Sequence, residues 1–491
     1  MTAFDRRTIY KSALFAVAMQ WAVRAIGLVS VVVLARLLSP ADFGVMAVAL
    51  SAAAFVELFG WIGLRQALLR VKAPERSHYD TAWTVQLCLF TLLALLLGAI
   101  APLAADFYDQ PVLTPMLWVI STRYVCMGLN NIGIVDFERE MDFGRDMRMR
   151  LSVRVLALIA SLVAAVVLQN YWALVIGLVC QSIFFTAASY IAHPFRPRFD
   201  LSRRSEILGV SLWMFIASAC EVVQQQVERL VLGRFVSVSV VGLFSVSKDL
   251  ASIFTQEIAT ALNRVTFVTV ARQDGPIGSH PEGIARLVGA YAVIVAPLAG
   301  GLVATASDSI AVLLGPQWAF AAPFLQIIAV YAGFQALYQM SESILQAAGF
   351  VKQAALLAVA GALGTVAAVV AAAMLYQSAL AVAWAAFAAN GLMLLAIGGV
   401  LAGYAKTPPV ALAMNLVRPA AAAVVMTLIL WGPAAIETGS ALLDLAIEIA
   451  VGAASYAAAL LLLWAACGRP EGAESELVRL LARVRRRSSP V

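Results

Sequence analysis

The chain has 491 residues, 62% of them hydrophobic and 13% charged, with a formal net charge of +6. A soluble domain carries roughly 25% charged residues, so this composition supplies about half the charge needed to cover a water-facing surface and excludes large soluble domains. The alternating ten-residue segments of an outer-membrane barrel are missing too, which leaves an all-α integral membrane protein.

Each span needs about 20 apolar residues, and hydropathy predicts fourteen spans. Arg6, Arg7 and Lys11 precede an apolar run that is too long for a cleaved signal peptide. This run is the first span, 13–35. The others follow at 42–64, 82–104, 113–135, 151–169, 171–192, 207–232, 238–262, 287–306, 322–347, 353–376, 379–403, 410–433 and 441–466, the fifth and sixth being split only by Asn170 and Tyr171. With a cytoplasmic N terminus, 26 of the 34 Lys and Arg residues fall in inside segments and only Arg36 and Arg234 outside. That bias predicts cytoplasmic N and C termini. Arg24, Arg123, Arg154, Arg229, Lys248 and Arg418 remain within spans.

The outside connectors, such as DFYDQP at 106–111 and GPAAIETGS at 432–440, are too short to hold a polymerase or ligase site, so no enzyme is expected. The inside connectors 137–150 and 193–204 read as amphipathic segments resting on anionic lipid headgroups, and 467–491 as a basic cytoplasmic tail. Cys88, Cys126, Cys180, Cys220 and Cys467 are scattered singly, which predicts neither a disulfide nor a zinc site. His78, His193 and His280 lie in connectors, leaving no intramembrane imidazole for a proton relay. The sequence has no phosphate-binding loop of the ATPase type, and no cofactor, metal or nucleic acid partner is expected.

The segment LARLLSPADFGVMAVA (34–49) aligns without gaps on LGRFVSVSVVGLFSVS (232–247). Leu34, Arg36, Ser39, Gly44 and Val48 match Leu232, Arg234, Ser237, Gly242 and Val246 at one constant offset. Both segments occupy the outside turn between the first two helices of a six-helix unit. The expected organisation is therefore two parallel six-helix lobes, 1–205 and 206–405, two additional spans in 406–466, and the tail. Arg36 and Arg234 are repeat mates at helix C-terminal ends, where a cation meets the negative end of the dipole.

These residues, with the GLRQALLR connector, GLFSVSKDLASI and the APLAGGL to LLGPQWAFAAPFL stretch at 296–325, resemble the polysaccharide transporter family of the multidrug/oligosaccharidyl-lipid/polysaccharide superfamily, the Wzx-type flippases. Phe244 stands where the family pattern often has Tyr. The resemblance implies fourteen helices with both ends inside the bacterial inner membrane. It also implies movement of an undecaprenyl-diphosphate-linked oligosaccharide by alternating access through a polar cavity, with a polymerase and chain-length regulator as partners. A multidrug or small-cation antiporter of the same superfamily is the alternative, and it requires an acidic, aromatic-lined cavity.

An anionic diphosphate with a sugar head cannot enter hydrocarbon dry, so a polar path is required. Helical stripes supply candidates: Gln335, Gln339, Glu342 and Gln346; Ser245, Asp249, Ser252 and Gln256; Ser218, Glu221, Gln225 and Glu228. Arg24 with Gln20, Arg123 with Asn130, and Lys248 are the candidate holders of phosphate or acidic sugar, together with Gln225 and Gln339. Glu57, Glu221, Glu228, Asp249 and Glu342 could couple a proton or sodium ion, or pair with those cations. The uncharged stretch from Ala354 to Tyr404 predicts close helix packing.

Overall fold

The computed structural model describes residues 22–468 apart from Arg24, 61–63, Lys72, Met141, 208–211, 272–280, Thr407 and 433–437, together with Ser475. Helices α1 (Ala25–Leu37), α2 (Pro40–Leu58), α3 (Leu64–Arg70), α4 (Arg76–Tyr108), α5 (Leu113–Leu129), α6 (Asp136–Arg139), α7 (Phe143–Leu168), α8 (Trp172–Ala192), α9 (Arg204–Ile207) and α10 (Leu212–Phe235) come first. Then follow α11 (Val238–Ala271), α12 (Pro281–Ala304), α13 (Ala306–Leu313), α14 (Ala322–Ala347), α15 (Val351–Tyr376), α16 (Ala379–Ala405), α17 (Pro409–Leu430) and α18 (Ala441–Ala466). Eleven of the described helices are long and apolar enough to cross a membrane. The other three predicted spans fall short of that standard. α1 is described over too few residues, α5 is only 17 residues long, and α10 carries Glu221, Glu228, Arg229 and Arg234.

Two compact units arise, Met1–Gly242 and Leu243–Val491. In the first, α4 pairs with α5 and α7 with α8, α5 packs on α8, and α10 lies along α2. In the second, α12 is the centre, packed by α14 and α17, while α14 and α15 pack on α16 and α18 on α17.

The internal repeat is visible in how helices start, kink and stop. α7 and α15 are each 26 residues long and end at a glutamine in the left-handed region, Gln169 (φ 48°) and Gln377 (φ 46°), whose N–H closes the last turn onto Ala165 O and Ala373 O. α4 and α12 share the tetrapeptide Ala-Pro-Leu-Ala, with Pro102 and Pro297 inside the helix. Each proline lacks the N–H that would bond the carbonyl four residues back. A ring donor takes that carbonyl in both places: Trp118 Nε1 donates to Gly98 O at 3.1 Å, and the Tyr456 hydroxyl to Val293 O at 3.0 Å. Further along α12, Thr427 Oγ1 donates to Gly300 O and Trp431 Nε1 to Ala304 O. The two helices beyond the repeats are therefore bonded to carbonyls of α12.

α2 begins at a reciprocal cap between Ser39 and Asp42 with Pro40 in its first turn, and Asp42 Oδ1 also accepts from Tyr171 N at 2.9 Å. Within the first unit, the start of α11 crosses α2 at backbone contact. A Cβ on Gly44 would lie 1.7 Å from Val238 O and one on Gly242 1.8 Å from Pro40 O. The contact is reciprocal between repeat mates, as a local two-fold axis requires, and only glycine fits there.

The connector 193–204 does not merely rest on a surface. Its extended backbone is bound by α4 and by the turn after α5. Asp80 accepts from Arg198 N at 2.7 Å, Thr84 Oγ1 from Asp200 N at 3.0 Å, and Asn131 Nδ2 donates to His193 O and Phe195 O at 3.2 and 2.9 Å. Phe195 and Phe199 pack on Tyr79 and Trp83. Gly133 lets His193 approach, since a Cβ there would sit 2.3 Å from its Nδ1. Burial holds the His193 imidazole below its usual range, against the upward pull of Asp136 and Glu140. Glu206 is held below the usual carboxylate range by hydrogen bonds from Arg203 and His78.

Candidate functional site

Among the described residues of the first unit, polar side chains of α2, α5 and α10 bond one another within the bundle. Arg123 on α5 donates from Nη1 to Glu57 Oε2 on α2 at 3.3 Å, with the two side chains 22% and 26% exposed. The next residue, Tyr124, is fully buried and donates its hydroxyl to Ala53 O at 2.8 Å, which fixes α5 against α2 one turn from the pair. The Arg123 guanidinium lies over the Tyr124 ring, 5.9 Å from its centre. Ser51 on α2 donates to Gln226 Oε1 on α10 at 3.0 Å, and Gln225 Nε2 donates to Glu221 at 3.1 Å. Glu221 is exposed and Glu228 fully buried, so the α10 stripe runs from surface to core.

In the second unit Lys248 is buried at 9% exposure, while its neighbour Asp249 is exposed, as adjacent helical residues pointing in different directions should be. Gln339 is half-buried on α14, and Glu342 accepts from Gln346 Nε2 at 2.9 Å, one turn along the predicted stripe. Arg24 and Gln20 lie outside the described residues.

Asn130 requires a correction. The predicted span 113–135 placed it on the Arg123 face, but α5 ends at Leu129 and Asn130 is its extended C-cap residue. Its Oδ1 accepts from Thr186 Oγ1 at 2.8 Å and its carbonyl from Gln86, so it joins helix ends and does not share a helical face with Arg123. The cause is local. Asn130 and Asn131 offer side-chain hydrogen bonds that compete with the helical ladder, and the chain continues as a short 3-10 turn at Ile132–Val135.

Sequence reasoning missed Ser51, Gln226 and Tyr124, whose partners are distant in sequence. Among the described residues, no group of three or more His, Cys, Asp or Glu gathers as a metal site.

Eleven long apolar helices among the described residues, with charged and amide side chains paired within the bundle, define a multi-pass integral membrane protein. Residues 33–323 match the family described as polysaccharide biosynthesis protein, and the chain belongs to that family. It is 26% identical over 308 residues to the succinoglycan biosynthesis transport protein ExoT of Rhizobium meliloti, covering 62% of each chain. It is 21% identical over 313 residues to the lipopolysaccharide biosynthesis protein WzxC of Escherichia coli, covering 62% of this chain and 63% of that one. The chain thus matches under two thirds of the length of these curated relatives. Its fold is that of the lipid II flippase MurJ in an inward closed conformation, at a TM-score of 0.77 and 12% identity over 93% of this chain and 100% of that one.

Proposed function

We propose that the protein moves an undecaprenyl-diphosphate-linked oligosaccharide from the inner to the outer leaflet of the bacterial cytoplasmic membrane, for assembly of a surface polysaccharide. The observation that carries this reading is Arg123, a part-exposed guanidinium at span depth held by a single hydrogen bond to Glu57. A cation in that position costs at least about 2.5 kcal/mol on insertion scales unless anions or water serve it, and guanidinium suits phosphate oxygens. Lys248, Gln225 and Gln339 are further contacts for phosphate and sugar, and Arg24 and Gln20 belong to the same proposal. The charge asymmetry puts both termini in the cytoplasm, and the two repeats rock to alternate access. The transport names carried by the relatives support this reading. We assign the chain no bond-making step: the polymerase and chain-length regulator act on what it delivers. An antiporter for cations would keep its carboxylates unneutralised, whereas Glu57 is already paired with Arg123. The test is deletion of the gene followed by assay of undecaprenyl-linked oligosaccharide by leaflet. Build-up on the cytoplasmic face is expected, and an unchanged distribution refutes the proposal.

A further inference from the structure

Several arginines of the first unit make two or more bonds to the protein. Arg150 places Nε on both oxygens of Asp146, at 3.0 and 2.9 Å, and Arg203 spans Glu75 and Glu206 at 2.9 and 3.0 Å. Arg139 bonds Tyr79 and Leu68 O. Arg123 differs. Among the described residues its only hydrogen bond is the one from Nη1 to Glu57, made to one oxygen and not as a fork on two. The other donors of the planar fork are left to solvent or ligand, and a guanidinium pairs best with an oxyanion through two parallel bonds. Both members of the pair are about a quarter exposed, and a single bond at 3.3 Å joins them. The scaffold around it is firm by contrast, with Tyr124 buried against the α2 backbone at Ala53. The Tyr124 hydroxyl also lies beside the Glu57 carboxyl. A rigid cation thus carries a loosely attached carboxylate.

We infer that Glu57 is the exchangeable counter-ion of Arg123: it occupies the anion seat of the empty carrier and competes there with the phosphate oxygens of the lipid-linked diphosphate. This rests on the transport reading above and adds a residue that sets how tightly substrate is held. A carrier must bind its cargo well enough to load and weakly enough to release, and an internal carboxylate tethered next to the seat displaces phosphate without any outside ligand. The two members of the pair then act in opposite directions, whereas a purely structural ion pair loses function the same way from either side.

The test uses the full-length chain in lipid nanodiscs and radiolabelled undecaprenyl diphosphate. Glu57→Gln, which keeps size and hydrogen bonding but removes the charge, should tighten binding about tenfold, equivalent to about 1.4 kcal/mol, and slow dissociation. Arg123→Gln should weaken binding by a comparable factor, and both should leave the thermal unfolding midpoint in place. Weaker or unchanged binding in Glu57→Gln, with the wild type binding normally, overturns the inference and leaves the transport reading standing. So does wild-type affinity in the charge swap Glu57→Arg with Arg123→Glu, which would mark a structural pair. Failure of the wild-type chain to bind the diphosphate lipid overturns the transport reading along with the inference.

Discussion

Gly44→Ala probes the crossing of α2 with the start of α11. The new Cβ would stand 1.7 Å from Val238 O, 2.6 Å from Val238 C and 3.0 Å from Gly242 N, all of them backbone atoms that no rotamer change can move. Ordinary contact begins near 3.4 Å, so the helices must part by roughly 1.5 Å at this point. Overpacking of that kind costs about 1–3 kcal/mol, and loss of close Cα–H···O approach adds about 0.5–1 kcal/mol for each contact. A total of about 2–3 kcal/mol disfavours the closed crossing roughly 30- to 150-fold. Spin labels on Ser39→Cys and Ser237→Cys, in a background lacking the five native cysteines, should report a longer and broader distance distribution in the variant. Gly242→Ala should reproduce the effect, because its Cβ meets Pro40 O at 1.8 Å, whereas Gly27→Ala, with nothing within 4 Å, should not. An unchanged distribution in both Gly44→Ala and Gly242→Ala would show that the crossing is not held by backbone contact.

Three further outcomes are expected. Tyr456→Phe leaves Val293 O without its donor beside Pro297 and should lower stability in detergent by about 0.6–1.7 kcal/mol, read from thermal unfolding. Asn131→Ala removes the bonds to His193 O, Phe195 O and Gly133 N, each buried group left unpaired costing about 1–3 kcal/mol; trypsin should then cut after Arg198, and continued resistance would show that the connector is held elsewhere. Because the folded pKa of His193 lies below the ordinary value of about 6.5, the unfolded chain binds the extra proton. Stability should therefore fall as pH drops below about 6.5 toward the depressed folded value. His193→Gln should flatten this slope in thermal melts taken across that range.

The helices were legible because a span buries apolar residues all round, a signal that survives without knowledge of partners. The repeat was legible through Gly44 and Gly242, yet its deeper markers, Pro102 with Pro297 and Gln169 with Gln377, gain meaning only once the freed carbonyls and left-handed caps are seen. Within the candidate site, Gln225 with Glu221 and Gln346 with Glu342 follow from four-residue spacing on one helix. Glu57 with Arg123 and Ser51 with Gln226 do not, since such pairs depend on how helices pack. Asn130 was misplaced because hydropathy continues past Leu129 although the hydrogen-bond ladder stops. The ties of the connector 193–204 to the bundle were not legible for a related reason. Its arginines suggest lipid headgroups, while the contacts that hold it are made by backbone groups, which carry no sequence label.

That connector bears on the order of assembly. The side chains that bond its backbone, among them Arg76, Asp80, Thr81, Thr84 and Asn131, have already been synthesised when residues 193–204 leave the ribosome. The first bundle can therefore lock the end that carries this connector before most of the second has been translated, as domains generally do when the N-terminal part folds first. The tie between Tyr456 and Val293 comes from the opposite direction, late in synthesis, and closes the second bundle only when α18 arrives. A ribosome paused once Glu206 has cleared its exit tunnel should already carry a protease-resistant N-terminal bundle, whereas one paused before Tyr456 has emerged should carry a second bundle that remains soft.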